Sequence, residues 1–199
     1  DALPLFRDGK PARLTEPTDE EEARAFAQAQ LLTAKPVLYV CNVEEGSAKD
    51  GNNFSKAVFE RAKQEGAVAV VISAKIESEI ATLSREERVD FLETLGLEEA
   101  GLDRLIRAGY RLLDLITYFT VGPKEARAWT IDRGTKAPAA AGVIHTDFEK
   151  GFIRAETIAY EDYIAGNGEA GARDAGKLRL EGKDYVVADG DVMHFRFNT

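Results

Sequence analysis

Residues 35–75 read KPVLYVCNVEEGSAKDGNNFSKAVFERAKQEGAVAVVISAK, and this stretch decides the fold. Two short apolar runs, 37–41 and 67–72, end abruptly at Asn42 and Ser73. Short apolar runs on either side of a helical segment predict a strand, a helix and a strand, with the strands buried on both faces of a parallel sheet. A right-handed crossover then places Asn42 and Ser73 at the edge of the sheet where α/β proteins bind ligands.

The segment between the two predicted strands has the apolar spacing of a helix, and a glycine follows it as a stop signal. The residues at helical spacing are Phe54, Ala57, Val58, Arg61 and Ala62, and the glycine is Gly66. We expect this helix to connect the two strands of the parallel sheet.

Composition restricts the function classes. The 199 residues carry a formal net charge of −9, which argues against a nucleic-acid binder that relies on bulk attraction to phosphate. Residues 117–199 contain 11 Lys and Arg and 13 Asp and Glu, a net charge of −2. Residues 1–116 contain 15 Lys and Arg and 22 Asp and Glu, a net charge of −7. A nucleic-acid surface, if the chain has one, is therefore expected in the C-terminal third.

Two further features concern the origin and location of the protein. The only cysteine, Cys41, lies in a predicted buried strand, excludes an intrachain disulfide and fits a cytoplasmic protein. No apolar run approaches the ~20 residues of a membrane-spanning helix, so no membrane association is expected. The chain begins at Asp1 without a methionine, and we expect it to be a piece of a longer protein.

Three more helices are predicted before residue 117. Thr18 is the expected N-cap of the first, with Glu21 in the capping-box position, and Ser84 with Glu87 forms the same pattern for the second. Leucines and isoleucines at helical spacing predict a long amphipathic helix over residues 97–116.

The pattern changes at residue 117. Short runs with alternating apolar and polar residues are separated by glycine-containing turns up to the end of the chain, and one short helix is expected near residues 139–144. Strands, a helix and further strands in about 80 residues predict a small sheet domain of the β-grasp kind. The domain boundary is expected near residues 116–121.

The residues after the two predicted strands suit recognition of a nucleotide base. Asn42 and Glu45 follow the first strand, and Ser73, Ala74 and Lys75 follow the second. An amide and a carboxylate side by side can recognise the hydrogen-bonding edge of a purine, while the second loop closes over the base. Alone, an N-x-x-E sequence after a strand is weak evidence, because asparagine also serves in turns and caps. Because Ser73, Ala74 and Lys75 follow the neighbouring strand, base recognition is the better interpretation of Asn42 and Glu45.

Four segments closely resemble the YchF and Obg-like ATPase family. They are KPVLYVCNVEE at 35–45, VVISAKIESEI at 70–80, residues 91–122, and HTDFEKGFIRAE at 145–156. The resemblance implies an α/β fold in which the C-terminal part of a P-loop NTPase sheet, with flanking helices, precedes a ubiquitin-like β-grasp TGS domain. It assigns residues 1–33 to the end of a helical arm, 34–116 to the nucleotide-binding domain and 117–199 to the TGS domain.

The resemblance also assigns roles to individual residues. Asn42 and Glu45 match the family's N-x-x-E, which replaces the N-K-x-D of ordinary GTPases. Val43 stands where those GTPases place a lysine along the guanine, and Glu45 where their aspartate accepts two guanine N–H groups. The absence of that lysine and that aspartate implies that the family prefers ATP over GTP, or that it binds the two nucleotides equally well. Ser73 and Ala74 match the loop that closes over the base.

The chemistry of phosphate transfer is not expected in these residues. The chain has no G-x-x-x-x-G-K-[ST] motif, which holds nucleotide phosphates and Mg²⁺ in P-loop enzymes. We therefore expect no catalytic residue in this chain. Binding of ATP or GTP with Mg²⁺ is expected to require the part of the nucleotide-binding domain that contains the P-loop. The resemblance further implies a cytoplasmic, monomeric protein that associates with the ribosome, through its large subunit or ribosomal RNA.

The alternative function is a non-catalytic TGS module that contacts ribosomal RNA or a protein. Lys177 and Arg179 could form a basic stripe for RNA on one strand, or could simply protect a sheet edge. His145 could contact RNA or a partner, or could cap a loop. An enzyme with His145 as base ranks third, because no nucleophile accompanies it. Two histidines and one cysteine predict no metal site.

Overall fold

The computed structural model describes residues 3–198. The chain divides into two compact units, Asp1–Leu113 and Asp114–Thr199. Unit 1 contains residues 35–75, and unit 2 contains the β-rich region. Within the described residues, no helix is long and apolar enough to cross a membrane.

Unit 1 is built on the predicted strand, helix and strand. β1 (Leu38–Asn42) pairs in parallel with β2 (Val68–Ile72), in a register that joins Asn42 to Ile72 at the carboxyl end. The connection is α3 (Asn53–Gln64). The other helices of this unit are α1 (Leu3–Arg7), α2 (Glu20–Gln28), α4 (Ala74–Ile80), α5 (Arg85–Thr94) and α6 (Gly101–Leu112), with 3₁₀ turns at Ala12–Leu14, Leu32–Ala34 and Glu45–Ser47.

The burial of this sheet differs from the prediction. Both strands are only half-buried, and Val40 is 45% exposed, because among the described residues the sheet has two strands and no layer covers its second face completely. Of the residues at helical spacing in α3, Ala62 is buried, whereas Phe54 is 84% exposed. Ser55 is also buried on the inward face of that helix.

Side-chain caps set the beginnings of three helices. The capping box of Ser84 and Glu87 at α5 is confirmed. The predicted cap at Thr18 is wrong by one residue: Asp19 accepts from the Glu22 N–H, and the Thr18 hydroxyl instead donates to the Glu22 carboxylate. At α3 the sequence analysis missed a capping box, in which Asn52 and Ser55 exchange hydrogen bonds.

The amphipathic helix before the β-rich region is shorter than predicted. It covers Gly101–Leu112 rather than residues 97–116, and the next strand already begins at Leu115. Leu97 and Ala100 are nevertheless buried in the core of unit 1, with Ile76 and Leu92. The predicted helix was too long because the strand that follows it is also apolar, so the apolar pattern continues past the end of the helix.

Unit 2 is a five-stranded sheet in the order β4-β3-β7-β5-β6, with a helix on one face. The β3–β7 pair is parallel and the other pairs are antiparallel, as in a β-grasp domain. The strands are β3 (Leu115–Val121), β4 (Ala126–Asp132), β5 (Phe152–Ala159), β6 (Arg179–Glu181) and β7 (Asp191–Phe197), and the helices are α7 (Ala137–Ile144), α8 (Thr146–Lys150), α9 (Tyr160–Ala165) and α10 (Glu169–Asp174). Only α7 was predicted; α8, α9 and α10 were not.

The core of unit 2 lies between α7 and the sheet. Tyr118 is completely buried, and its hydroxyl donates to the Ala140 carbonyl (2.9 Å). Phe152 is buried, while Trp129 and Phe148 pack half-buried against the same core.

A buried carboxylate joins the last strand to the loop before it. Asp191 is 2% exposed and accepts hydrogen bonds from the Tyr185 hydroxyl (2.6 Å), the Ala188 N–H (2.9 Å) and Arg179 (3.1 Å). Burial and the bond to Asp191 raise the pKa of Tyr185 to about 12, so the hydroxyl remains a donor at neutral pH. Three donors offset the desolvation of this carboxylate.

Asp191→Asn should therefore lower the free energy of unfolding of unit 2 by about 2 to 3 kcal/mol, because the amide replaces one acceptor with a donor. Urea titration followed by tryptophan fluorescence measures this change at Trp129. Asp189→Asn is the matched control, since Asp189 is exposed and, within residues 3–198, accepts only the Thr117 N–H (2.8 Å). It should change stability by less than about 1 kcal/mol. Equal losses in the two variants would contradict the role of Asp191.

Candidate nucleotide-base site

The carboxyl ends of β1 and β2 are joined by one side-chain hydrogen bond. The Ala74 N–H donates to Asn42 Oδ1 at 2.9 Å, across 32 residues of sequence. Asn42 and Ile72 are register partners, so the loops after both strands begin side by side. Because Oδ1 is used in this bond, the two hydrogens on Asn42 Nδ2 can donate to an acceptor such as a purine ring nitrogen.

A carboxylate lies beside this bond. Glu45 begins a 3₁₀ turn after β1 and forms an ion pair with Lys75, the second residue of α4. The bond and the negative charge of Glu45 raise the pKa of Lys75, which keeps the ammonium group charged. Lys75 was predicted to lie in the second loop but was not predicted to be a site residue. Its position two residues after Ser73 is the sequence feature that could have identified it.

The other two residues predicted for the site are buried. Val43 is 8% exposed, and its N–H donates to the Ile72 carbonyl (2.9 Å). Its side chain therefore packs inside the protein and does not lie on the surface beside Asn42. Ser73 is 2% exposed, and its hydroxyl is buried without a hydrogen-bond partner among the described residues.

These residues fit a nucleotide base but not a phosphate or a metal ion. An amide donor, a carboxylate and a buried hydroxyl still lacking a partner suit the polar edge of a purine. Residues 3–198 contain no group of three or more His, Cys, Asp and Glu side chains that could hold a metal ion. The arrangement can bind and orient a base, and no catalytic step follows from it.

The thiol next to this site is poorly suited to chemistry. Cys41 is half-buried rather than fully buried as predicted, and desolvation raises its pKa. The thiolate is therefore disfavoured at neutral pH, and the thiol is a weak nucleophile.

The residues predicted for RNA contact are already engaged in unit 2. Lys177 forms an ion pair with Asp162 (3.3 Å) and lies before β6, so the expectation that it shares a strand with Arg179 is wrong. Arg179 bonds to Asp191. His145 caps α8, because its Nδ1 accepts the Asp147 N–H (3.2 Å), as the loop-capping interpretation proposed.

Comparison with known proteins agrees with the resemblance of the four segments. Residues 115–198 match the family model YchF-GTPase_C, whose description is "Protein of unknown function (DUF933)". The "Ribosome-binding ATPase YchF" of Bacillus subtilis is 58% identical over 97% of this chain and 53% of its own length. The "Obg-like ATPase 1" of Pongo abelii is 40% identical over 96% of this chain and 48% of its own length.

A solved structure has the same fold. The YchF GTPase of Schizosaccharomyces pombe is 35% identical, with a TM-score of 0.83 over 96% of this chain and 51% of its own. These matches define an α/β class of protein. Within that class, the chain belongs to the YchF and Obg-like ATPase family, and it spans about half the length of the curated relatives it matches.

Asn42→Ala should speed hydrogen exchange of the Ala74 amide roughly fivefold, because loss of one hydrogen bond is worth about 1 kcal/mol. Amide exchange followed by NMR measures this rate. Asn42→Asp is the control, since it keeps an oxygen acceptor at the same position and should preserve most of the protection. If Asn42→Ala leaves the Ala74 amide as protected as before, the bond does not hold the two loops together.

Proposed function

We propose that this chain is the base-recognition and C-terminal portion of an ATP- or GTP-binding, ribosome-associated NTPase of the YchF type. The observation that carries the proposal is the bond between Asn42 and Ala74, which brings the two base-recognition loops to one edge of the sheet. Its support is the 58% identity to a protein named ribosome-binding ATPase.

Each base-contacting residue has a distinct role in this proposal. Asn42 donates from Nδ2 to the purine, and Glu45 accepts from its exocyclic amine or ring N–H. The loop at Ser73 and Ala74 closes over the base. Val43, buried in the protein, offers no cation to lie along a guanine, which removes one basis for GTP preference.

Phosphates and Mg²⁺ would be held by a P-loop half, and that metal supplies charge neutralisation at the phosphates. In the same proposal, residues 1–33 end a helical arm, residues 34–116 belong to the nucleotide domain and residues 117–199 form a TGS domain. The protein then works as a cytoplasmic monomer whose partner is the large ribosomal subunit or its RNA.

In a full-length protein that includes this chain, Glu45→Ala should weaken ATP binding about tenfold, because a charge-assisted hydrogen bond is worth about 1.5 kcal/mol. Calorimetric titration with ATP and with GTP measures the affinities and their ratio. Glu44→Ala is the matched control: Glu44 accepts from Ser47 and Asn52, and these bonds lower its pKa. Unchanged ATP affinity in Glu45→Ala, or an equal loss in Glu44→Ala, would contradict the assignment.

A second candidate function is a binding module without a role for nucleotide. The observation that favours it is that unit 2 has its own hydrophobic core, built around Ile116, Tyr118 and Phe195. Such a unit can bind a partner while the α/β part serves as a scaffold.

Deleting residues 114–199 from the full-length protein separates the two functions. Ribosome association, measured by cosedimentation, should be lost in either case. ATP affinity should stay within about twofold of the intact protein if unit 1 completes a nucleotide site, because no proposed base contact lies in the deleted region. Loss of ATP binding by a truncated protein with an unchanged helical circular dichroism signal would favour the module.

A further inference from the structure

One face of the sheet in unit 2 carries an unusual cluster of cations. The antiparallel pairing of β5 and β7 sets Arg154 directly opposite Arg196, and Glu156 opposite His194. Paired residues and their second neighbours share a face of a sheet, so all four side chains lie on one surface. The opposite face carries Ala155 and Phe195, which are buried in the core.

The charges on this surface do not balance. Glu156, whose side chain is 12% exposed, accepts two hydrogen bonds from Arg196 (3.0 and 3.3 Å). Arg154 is exposed and has no ion pair within the described residues. Arg196, His194 and Arg154 all lower the pKa of Glu156, so this single carboxylate is the counter-ion of two arginines. Like charges directly opposite each other destabilise a sheet, and a bound anion would relieve this repulsion.

A β-bulge adds an apolar component. The register of β5 shifts between Phe152 and Arg154, which inserts Ile153 as an extra residue, and Ile153 is half exposed. Bulges often occur beside functional sites because they redirect side chains. Together these strands line a shallow concavity of about 570 Å³, whose lining includes Ile153, Arg154, His194 and Arg196.

We propose that this surface, defined by Ile153, Arg154, His194 and Arg196 and called here the arginine face, binds the phosphate backbone of single-stranded RNA. The inference rests on the proposed function, since it names the surface through which the protein meets ribosomal RNA. Arginine forks bind phosphate oxygens in pairs, and exposed imidazole and apolar side chains lie against unstacked bases.

The arginine face suits this role better than the two basic residues that the sequence singled out. Lys177 and Arg179 are each paired with a carboxylate, whereas Arg154 has no carboxylate partner within hydrogen-bonding distance in the described chain. An acidic peptide would use the two arginines but would leave the exposed Ile153 and His194 without a role. A few local phosphate contacts are compatible with the net charge of −9, because phosphate attraction falls off within a Debye length.

The test is the binding of a fluorescein-labelled single-stranded RNA of about 12 nucleotides to the 199-residue chain, by fluorescence anisotropy from about 50 to 200 mM NaCl. Arg154→Gln should weaken binding about fivefold and lower the slope of log K against log salt by about 0.7, the value for one single-strand phosphate. Arg154→Gln breaks no ion pair within the described residues and removes a like charge opposite Arg196, so its melting temperature should be no lower than that of the unaltered chain.

Arg133→Gln is the matched control, because Arg133 is an exposed arginine of the same unit, paired with Asp114 (2.9 Å) at another part of the sheet. It should retain the affinity and the salt slope, and so should Lys177→Gln. Equal losses in Arg154→Gln and Arg133→Gln, or a larger loss in Lys177→Gln, would overturn the arginine face as the binding surface.

Three further outcomes also decide the matter. If a poly-glutamate peptide binds and is weakened by Arg154→Gln while the RNA does not bind, the face is a protein-docking surface and the RNA proposal fails. If the chain sediments with ribosomes and Arg154→Gln changes neither that nor RNA affinity, the arginine face fails while ribosome association stands. If neither ribosomes nor RNA bind, both proposals fail.

Discussion

The hydrogen bond from the Ala74 N–H to Asn42 Oδ1 is the contact on which the candidate site depends. Parallel strands bring the two loops to the same edge, but backbone pairing ends at Asn42 and Ile72. Beyond that point a side chain must hold the second loop. The bond does so with the acceptor half of the amide. In the proposed function, the donor half binds the base, so that positioning and recognition are two roles of one asparagine.

Unit 2 depends on a comparable polar contact. Its closing strand begins with Asp191, a buried carboxylate that holds the preceding loop through Tyr185 and Ala188. The same carboxylate forms an ion pair with Arg179, so that arginine is exposed but already neutralised. The architecture therefore decides which cations remain available, and on the neighbouring strands it leaves Arg154 exposed.

Several features could be predicted because they depend on local sequence. The strand, helix and strand of residues 35–75 follow from apolar runs and their stops, and the capping box at Ser84 from a spacing of three residues. The errors arose where local signals compete. Thr18 and Asp19 are both good N-caps, and only the geometry of the first turn selects Asp19. The helix over 101–112 passes into an apolar strand without a polar break, so its end could not be located.

The amino-acid sequence was enough to predict the family, the change of pattern near residue 117 and the candidate residues Asn42, Glu45, Ser73 and Ala74, because short local motifs carry this information. Only the tertiary structure decided what those residues can contact. It buries Val43 and the Ser73 hydroxyl, pairs Glu45 with Lys75, and neutralises Lys177 and Arg179. It also brings Arg154 and Arg196 together from 42 positions apart in the sequence. Burial and ion pairing depend on residues that are distant in the chain, so they cannot be predicted from a local sequence pattern.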